Sequence, residues 1–257
     1  MWLLQKRCIC GAMGTDFLET ATKDGSITLF STKYNQHYHS VKEGAINESL
    51  YKHILPAFEH QKNKKYLKIL DICFGLGYNT FLTILTNQQS SKPKKLEIIS
   101  PELDEKLVNN LKNFNYPEEF KPLREIISKI SESHYYEDDF IKISVVIDDA
   151  RAVIQKLHDI DIVYQDAFSS DTNKELWSVE YFADIKKAMK HDGILTTYSI
   201  ATPVRLSMSK NGFLIYGLKC STTRTSTLAF LEPQNIDGFI DMNLKMINNP
   251  NAMAIFD

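Results

Sequence analysis

The sequence lacks an excess of charge of either sign, and it lacks long apolar runs. Its 30 lysines and arginines stand against 32 aspartates and glutamates, for a net charge of −2. This balance excludes a positively charged coat for nucleic acid, although it allows a local basic patch. No apolar run reaches the ~18–20 residues that span a bilayer. In the opening MWLLQKRCIC, the apolar stretch before the first charged residues is also too short for a signal peptide. We therefore expect a cytoplasmic protein without membrane contact. We also expect it to be a monomer.

Metal-binding motifs built from cysteine or histidine are also missing. Cys8 and Cys10 form a lone C-x-C without a second pair at zinc-finger spacing. The seven histidines form no H-E-x-x-H or similar pairing. Free thiols in a reducing compartment are the simpler interpretation, so we expect no metal. The phosphate-binding motif G-x-x-x-x-G-K-[ST] is absent too, which excludes a P-loop nucleotidase.

The ends of the chain differ in pattern from its middle. Residues 1–14 match no periodic pattern, which predicts a loose leader. The region 15–65 combines a strand at 27–31 with a helix over 43–59, whose apolar residues recur every four positions. This indicates a small β/α extension. At the other end, the tail 235–257 is rich in Asn and Met, and we expect it to be weakly ordered.

The region between residues 66 and 234 alternates strand patterns with helix patterns. Strands are predicted at 67–73, 96–100, 141–147, 161–165 and 193–200, and a closing hairpin at 213–218 and 226–231. Strands separated by helices predict right-handed βαβ units in a parallel sheet, and the hairpin predicts an antiparallel edge. The expected fold class is therefore α/β, with a Rossmann-like, mostly parallel sheet.

Two glycines follow the first strand of this series, in LDICFGLGYNTFL (70–82). Gly75 and Gly77 allow the backbone to approach a ligand closely at the strand end. Thr80 occupies the place of the third glycine of a dinucleotide fingerprint, which weakens an NAD interpretation. A tight strand-to-helix turn alone also explains the pair.

Acidic residues follow the next two strands of the series. Glu102 is placed to accept hydrogen bonds from both hydroxyls of a ribose. Asp149, followed by Ala150, is placed to reach the amino group of an adenine. Any one of these acids by itself fits a solvated loop carboxylate. With the glycines they describe a pocket for an adenosine without a pyrophosphate, as in class I methyltransferases that use S-adenosylmethionine (SAM).

The stretch from VYQDAF to SKNGF resembles the methyltransferase domain of the MnmC family of bacterial tRNA-modifying enzymes. The matching positions are Asp166-Ala167-Phe168, Asn173, Trp177, Gly193, Thr197-Tyr198-Ser199 and Arg205. Upstream, DGSITL (24–29), YHS (38–40), Gly44-Ala45 with Glu48, and FGLGYN are similar to further motifs of the family. The resemblance covers about residues 22–231 and supports the class I methyltransferase fold.

The sequence departs from the family pattern at three places. Cys73 stands where many members have glycine. Ser169 and Lys174 replace prolines, so we expect a looser loop over the substrate. The FAD-dependent oxidase domain of the bifunctional members has no room in this chain, so we expect no FAD.

The resemblance implies methyl transfer from SAM to the aminomethyl group of a wobble uridine in the tRNA anticodon loop. The substrate would be 5-aminomethyl-2-thiouridine and the product 5-methylaminomethyl-2-thiouridine, with upstream enzymes supplying the aminomethyl group. The positions assigned to the cofactor are Gly75, Gly77, Tyr78, Asn79, Glu102, Asp149, Ala150, Tyr38 and Glu48.

Asp166 ends the fourth strand and is our candidate catalytic residue. Methyl transfer needs a neutral amine, and a carboxylate can orient the amine and take up its proton. A loop cap is the alternative role. Phe168, Trp177 and Tyr198 are candidates to stack on a flipped-out uracil, with core packing as the alternative for each. Arg205 is expected to pair with a phosphate or with the carboxylate of the cofactor, and the sequence does not decide between them.

Two other functions remain open at this level. An aminopropyltransferase of the spermidine synthase type shares the fold and an acid after the fourth strand. Its motif continues to Asp-Pro, whereas Asp166 is followed by Ala-Phe-Ser-Ser. A SAM- or RNA-binding protein without turnover would fit better if that acid were lost. Two lysine clusters are candidates for contact with the tRNA backbone, or simply solvated surface: Lys62, Lys64, Lys65 and Lys68, and Lys92, Lys94 and Lys95.

Overall fold

The computed structural model describes residues 17–257. Cys8, Cys10 and the leader predicted for residues 1–14 lie outside the described residues. Within the described chain, no helix combines the length and the apolarity needed to cross a membrane.

Strands and helices alternate along most of the chain. The strands are β1 (Phe17–Ala21), β2 (Ile27–Ser31), β3 (Gln36–His37), β4 (Tyr66–Ile72), β5 (Lys95–Glu102), β6 (Tyr135–Glu137), β7 (Ile141–Ile147), β8 (Ile160–Gln165), β9 (Met189–Thr197), β10 (Leu214–Leu218), β11 (Ser226–Phe230) and β12 (Phe239–Ile240). The α-helices are α1 (Ala45–Glu48), α2 (Leu55–His60), α3 (Tyr78–Gln88), α4 (Glu105–Asn110), α5 (Arg124–Ser133), α6 (Ala150–Ile154), α7 (Val179–Ala188), α8 (Thr202–Lys210) and α9 (Met242–Ile247). A π-helix spans Ser49–Ile54, and 3₁₀ turns span Leu111–Asn113, Glu118–Leu123 and Lys174–Leu176.

The main sheet has nine strands in the order β12-β10-β11-β9-β8-β4-β5-β7-β6. The five strands β9, β8, β4, β5 and β7 run parallel, and the strands beyond them on both sides are antiparallel. The chain adds β5 and β7 on one side of β4 and then returns to place β8 on the other. The topological switch point therefore lies at β4 and β8, where α/β sheets bind ligands beyond the carboxyl ends of the strands.

Helices cover both faces of the sheet, and β4 shows how the sequence produces this. Leu67 and Ile69 belong to the buried cluster on one face, whereas Leu70 and Ile72 belong to the cluster on the other. All four side chains are fully buried. A strand covered on both faces reads as a continuous apolar run, because successive side chains point to opposite layers. The predicted α/β fold with an antiparallel edge is confirmed.

The N-terminal extension is a three-stranded sheet, β1-β2-β3, followed by a composite helix. The helix predicted over 43–59 is present but is not regular, because the segment Ser49–Ile54 forms a π-helix between α1 and α2. Single π turns inside α-helices are rare and are frequent at functional sites. This one sets the direction of His53, which is buried against the main sheet.

The tail beyond residue 234 makes more contacts than its composition suggested. β12 pairs with β10, and Met242 of α9 is buried. The last residues bond to the helices: the amide of Val179 donates to the carbonyl of Ile255 (2.8 Å), and Arg151 forms an ion pair with Asp257 (2.6 Å). The tail therefore makes specific contacts with the rest of the chain, which differs from the weak order expected for it.

Candidate active site

A cavity of about 680 Å³ opens at the carboxyl ends of β4, β5 and β8, beside the switch point. This volume lies within the range of roughly 300–1,000 Å³ typical of small-molecule sites. The N-terminal extension closes one side of the cavity. The predicted site residues that line it are Tyr38, Glu48, Gly75, Tyr78, Asn79, Glu102, Asp149, Ala150, Asp166, Phe168 and Tyr198. Gly77, Trp177 and Arg205 do not line it.

The glycine loop follows β4 in a backbone conformation that favours glycine. Cys73, Gly75 and Gly77 have φ angles of 64°, 54° and 70°. Cys73 therefore adopts a conformation that is uncommon for a residue with a Cβ and that glycine adopts readily. A Cβ on Gly75 would lie 3.0 Å from the ring of Tyr38, so the cavity wall is closely fitted at this point.

Gly77 supports the loop without lining the cavity. It is the N-cap residue of α3, and a Cβ there would lie 2.5 Å from Phe81 and 2.9 Å from Phe74. Glycine is required at position 77 because Phe74 and Phe81 leave no space for a Cβ beneath the loop. A branched residue at 77 would disturb the fold of the loop first, so such a variant would be a poor test of direct cofactor contact.

Glu102 is fixed by backbone hydrogen bonds at the end of β5. Its Oε2 accepts from the amide of Gly75 (2.8 Å), and its Oε1 accepts from the amides of Leu103 and Asp104 (both 2.9 Å). Burial raises the pKa of Glu102 above its usual value, although these three donors oppose the shift. The glycine loop after β4 and the acid at the end of β5 are thus directly hydrogen-bonded to each other.

Asp149 follows β7, the strand beside β5, and caps the start of α6. Its Oδ1 accepts from the amides of Arg151 (2.8 Å) and Ala152 (3.3 Å). The cap uses one carboxylate oxygen, so the other is available to a donor in the cavity. Ala150, the first residue of the helix, is buried and lines the same wall.

Three other predicted cofactor residues hold the walls together. Tyr78 is buried, and its hydroxyl donates to the carbonyl of Ile27 (2.8 Å), so the side chain ties α3 to β2. Glu48 accepts from the amide of Ser40 (2.6 Å) and forms an ion pair with the buried Lys52 (2.8 Å). The ring of Tyr38 packs across the glycine loop. Tyr78 and Glu48 are therefore bonded to other parts of the protein and support the cavity walls.

Asp166 lies between a histidine and an amide group at the floor of the cavity. Its Oδ2 accepts from Asn79 Nδ2 (2.8 Å), and its Oδ1 lies 3.6 Å from His53 Nε2. Burial alone would raise the pKa of Asp166, but His53, His39 and the Asn79 bond together outweigh it and lower that pKa below its usual value. Asp166 is therefore an anion at neutral pH.

A second buried carboxylate, Asp71 of β4, lies behind this pair. It accepts from Thr80 Oγ1 (2.8 Å) and lies 3.4 Å from Asn79 Nδ2. Burial, with a further contribution from Asp166, raises the pKa of Asp71 to about 8. Thr80, which stands in place of a third glycine, thus fixes a buried acid at the base of the loop.

Aromatic rings from two parts of the chain meet at the cavity mouth. Phe168 contacts Tyr34 and Tyr38, each with ring centroids 5.0 Å apart. Gln36 ties the two parts together, because its Nε2 donates to Ser169 Oγ (2.6 Å) and its Oε1 accepts from the Ser169 amide (3.3 Å). The loop expected to be looser for want of a proline is held by these two bonds instead.

Trp177 and Arg205 are displaced from their predicted roles. The Trp177 ring is fully buried, and its Nε1 donates to the carbonyl of Phe168 (2.7 Å), so it supports the loop from beneath and cannot stack on a base. Arg205 is buried and donates from Nε to Thr227 Oγ1 (3.0 Å) outside the cavity. Tyr198 does line the cavity, with its hydroxyl bonded to the carbonyl of Ala167 (2.9 Å).

The two lysine clusters lie away from the cavity, near the amino ends of β4 and β5. Lys64 pairs with Asp161 (2.7 Å) and Asp192 (2.8 Å), and Lys94 bonds to backbone carbonyls. β4 has seven residues, so its two ends are roughly 20 Å apart at ~3.3 Å per residue. The basic side chains that do line the cavity are Lys33, Lys106 and Arg224.

Sequence reasoning missed several residues in and around this site, among them His39, His53 and Gln36. His39 belongs to the Tyr-His-Ser motif, and burial lowers its pKa, which favours a neutral ring. His53 contacts residues more than 100 positions away, so no local pattern indicated it. Gln36 gave no signal of its own. Among residues 17–257, no group of three or more potential metal ligands is found.

A parallel sheet with a glycine loop, Glu102 and Asp149 at successive strand ends defines a class I SAM-dependent methyltransferase. These residues fit SAM, since the loop allows close approach and both acids offer carboxylate oxygens as hydrogen-bond acceptors at the cavity. Comparison with known proteins agrees: a family described as S-adenosyl-L-methionine-dependent methyltransferase matches residues 116–230.

Similar proteins narrow this class. The crystal structure of MnmC2 from Aquifex aeolicus is 31% identical, with a TM-score of 0.81, and the match covers 93% of this chain and 78% of that one. The chain therefore belongs to the MnmC methyltransferase-domain family. Spermidine synthase from Thermotoga maritima, 15% identical with a TM-score of 0.56, shares the fold over 94% of this chain and 77% of its own.

Curated relatives are longer than this chain. The "tRNA 5-methylaminomethyl-2-thiouridine biosynthesis bifunctional protein MnmC" of Campylobacter jejuni is 29% identical over 221 residues, which cover 80% of this chain and 35% of that protein. An uncharacterized protein of Methanocaldococcus jannaschii is 29% identical over 220 residues, 82% of this chain and 59% of its own. The chain thus spans about a third to three fifths of these relatives.

Proposed function

We propose that this enzyme transfers a methyl group from SAM to the aminomethyl nitrogen of a modified wobble uridine in tRNA. The observation that carries the proposal is the position of the Asp166 carboxyl group in the same cavity as the glycine loop and Glu102. When bound, SAM supplies an activated methyl group, so the protein contributes mainly alignment and proton removal. MnmC and MnmC2, to which the chain is similar, support this substrate.

Each wall of the cavity has a part in the proposal. Gly75, Glu102 and Asp149 would hold the adenosine of SAM, and Asp166 would orient the substrate amine. Phe168 and Tyr34 offer aromatic faces at the mouth for the extruded base, as is common for single-stranded RNA loops. Lys33, Lys106 and Arg224 would attract the phosphates beside it. We further propose that the enzyme acts as a monomer, after upstream enzymes have installed the aminomethyl group.

Substrate selectivity tests the proposal directly. With SAM alone, the purified protein should methylate tRNA carrying 5-aminomethyl-2-thiouridine and leave carboxymethylaminomethyl tRNA unchanged. The second tRNA must first lose its carboxymethyl group by oxidation, and methyl transfer from SAM supplies no oxidant. The measurement is mass spectrometry of nucleosides after incubation, with heat-treated enzyme as the control.

Three outcomes of that experiment would argue against the proposal. Turnover of the carboxymethylaminomethyl tRNA by the protein alone would contradict the expected selectivity. SAM binding without methylation of either tRNA would favour a binding protein. Activity with decarboxylated SAM and a diamine would favour an aminopropyltransferase, the function of the structurally similar but distant spermidine synthase.

The bonds between Gln36 and Ser169 should matter for substrate binding. Gln36→Ala removes both bonds and frees the β2–β3 hairpin from the loop that carries Phe168. Two neutral hydrogen bonds contribute about 1–2 kcal/mol, so we expect KM for aminomethyl tRNA to rise roughly 5- to 30-fold. Steady-state kinetics would measure KM, and calorimetry would show SAM affinity within a factor of about two of the parent.

Gln89→Ala is a matched control, because Gln89 is an exposed glutamine just beyond α3 and outside the cavity. An unchanged KM in the Gln36 variant would show that the hairpin does not organise the substrate loop.

A further inference from the structure

We infer that Arg224 binds a backbone phosphate beside the modified uridine, and that the buried Glu43 is the positioning residue that holds Arg224 in place. The inference rests on the proposed function and names the part of the site that the RNA backbone of the substrate occupies. Arg224 lies in the loop 219–225 between β10 and β11 and lines the cavity. Its side chain is 78% exposed, so a ligand at the cavity mouth has access to it.

The topology of the sheet places this loop at the cavity mouth. β11 runs antiparallel to β9 with Thr227 opposite Thr197, so the start of β11 lies beside the carboxyl end of β9. β9 is in turn parallel to β8, the strand that leads to Asp166. Adjacent strands are about 4.8 Å apart, so the β10–β11 loop begins roughly 10 Å along the sheet edge from the end of β8. A single nucleotide can bridge a distance of this size.

Asp166 divides the cavity into two sides. The residues proposed to hold the adenosine follow β4, β5 and β7, which all lie on one side of β8 in the sheet: Gly75, Glu102 and Asp149. β9 and β11 lie on the other side. A methyl acceptor must approach the methyl carbon in line with the leaving sulfur, on the side away from the cofactor. The acceptor nucleotide therefore belongs on the side of β9 and β11, where Arg224 lies.

The lysine and arginine side chains that line the cavity are divided between these two sides. Lys106 belongs to α4, which follows β5 on the cofactor side. The ammonium group of Lys33 lies over the ring of Tyr34 (4.8 Å), and Tyr34 and Asp104 raise the pKa of Lys33, so it also lies near the loop after β5. Both lysines attract anions to the mouth, whereas Arg224 is the cation on the acceptor side.

A buried carboxylate holds Arg224 in this place. Glu43 Oε1 accepts a hydrogen bond from the amide of Arg224, and Glu43 Oε2 accepts from Nε and Nη2 of its guanidinium (both 3.3 Å). Glu43 Oε2 also accepts from Lys52 Nζ (2.7 Å), which donates to Glu48 Oε1 as well (2.8 Å). The side chains of Lys52 and Glu43 are only 2% and 7% exposed. The exposed arginine is therefore attached to a network inside the protein.

The charges and donors of this network leave Arg224 suited to bind an anion. Glu43, Glu48 and Lys52 together carry one negative charge, and Arg224 balances it. A buried carboxylate without a matching cation is costly, so the network favours a guanidinium that stays in place. Glu43 takes up Nε–H and one proton of Nη2, and the other edge of the guanidinium, with Nη1, faces away from it. Two adjacent N–H donors on such an edge match two oxygens of a phosphate.

Arg224→Gln should raise KM for aminomethyl tRNA roughly 10-fold, because it removes a charged hydrogen-bond donor from an exposed position. The loss should appear in KM and not in kcat, since Arg224 lies away from the reacting atoms. Arg224→Lys retains the charge but loses the paired donors, so its KM should lie between those of the parent and the glutamine variant. The matched control is Lys95→Gln, which removes an exposed positive charge at the opposite end of β5 from Glu102.

Glu43→Gln tests the positioning role. It should raise KM roughly 3-fold, because the guanidinium must then be ordered when the RNA binds. Added to Arg224→Gln, it should cause no further rise in KM, because the two side chains act as one unit. If the loss of Glu43 leaves Lys52 poorly paired and the variant does not fold, the exposed Arg224 variants and the binding measurement below still test the inference.

A binding measurement does not depend on turnover. The probe is an anticodon stem-loop with 5-aminomethyluridine, titrated by fluorescence anisotropy in the presence of S-adenosylhomocysteine. In the Arg224→Gln variant, the slope of log Kd against log salt concentration should fall by about 0.7, the value for one phosphate contact on a single strand. Replacing the contacted phosphate by a neutral methylphosphonate should weaken binding to the parent roughly 10-fold and should not weaken binding to Arg224→Gln further.

The outcomes are distinguishable. A parent enzyme that does not methylate the aminomethyl substrate would overturn the proposed function, and this inference with it. An active parent together with an Arg224→Gln variant of unchanged KM and salt slope would overturn the inference alone. An equal loss in Lys95→Gln would indicate a general effect of charge and also overturn it. So would methylphosphonates that weaken the Arg224→Gln variant as much as the parent at every phosphate beside the modified uridine.

Discussion

Asp166→Asn should lower the single-turnover rate of methylation roughly 10²–10⁴-fold at neutral pH while leaving the affinity for SAM unchanged. The substitution retains the size of the side chain and an oxygen that can accept the Asn79 bond of 2.8 Å. It removes the negative charge that orients the substrate ammonium group and begins its deprotonation. The fold should persist, because no backbone amide among residues 17–257 donates a hydrogen bond to this side chain.

The pH dependence gives the sharper test of Asp166. Above neutral pH the free amine accumulates without help, so part of the lost rate should return as the pH rises with SAM saturating. The matched control is Asp171→Asn, which removes an exposed carboxylate from the same loop outside the cavity. A variant as fast as the parent at neutral pH would remove Asp166 from the mechanism. A slow variant without alkaline recovery would assign it to positioning alone.

The sequence predicted those parts of the site that depend on strand ends. β4 is an apolar run followed by the glycine loop, β5, β7 and β8 lead into acidic residues, and parallel strands bring their carboxyl ends to one edge of the sheet. The positions of Gly75, Glu102, Asp149 and Asp166 in one cavity follow from that rule and from the order of the chain. The bond between Gly75 and Glu102 is a direct consequence.

The directions of individual side chains at the site could not be predicted from the sequence in the same way. Loop residues have no periodicity, so the pattern around Trp177 could not tell a stacking surface from the buried support that the structure shows. Arg205 lies on α8 with its guanidinium turned to Thr227 and away from the cavity. Motif positions alone do not carry this information.

His53 illustrates a further limit. The apolar spacing over 43–59 predicted a regular helix, and a π turn changes the number of residues per turn and so the direction of each side chain. The partners of His53 come from β8, β9 and the loop beyond β8, which only the tertiary fold brings together. The tail after residue 234 shows the same limit, because its contacts with β10 and α7 are entirely nonlocal.

Glu102→Gln should weaken SAM binding roughly 10²-fold. The carboxylate is the acceptor expected for two ribose hydroxyls, and hydrogen bonds to a charged group contribute about 1.5–3 kcal/mol each. The glutamine NH₂ group would also face amides that now donate to Glu102, so either the Gly75 bond or the pair from Leu103 and Asp104 would be lost. Isothermal calorimetry with SAM measures the change, and Glu97→Gln on the same strand, outside the cavity, is the matched control.

The pH dependence of SAM binding should carry the signature of the same carboxylate. Burial raises the pKa of Glu102 in the free protein, and hydroxyl donors favour the ionised form. SAM should therefore bind fully above that raised pKa, and its affinity should fall as the pH drops through it, at a higher pH than for an ordinary glutamate. The Glu102→Gln variant should bind weakly at every pH and show no such acidic decline. A parent whose affinity is flat through the acidic range, or a variant that retains the decline, would place the ribose against another group.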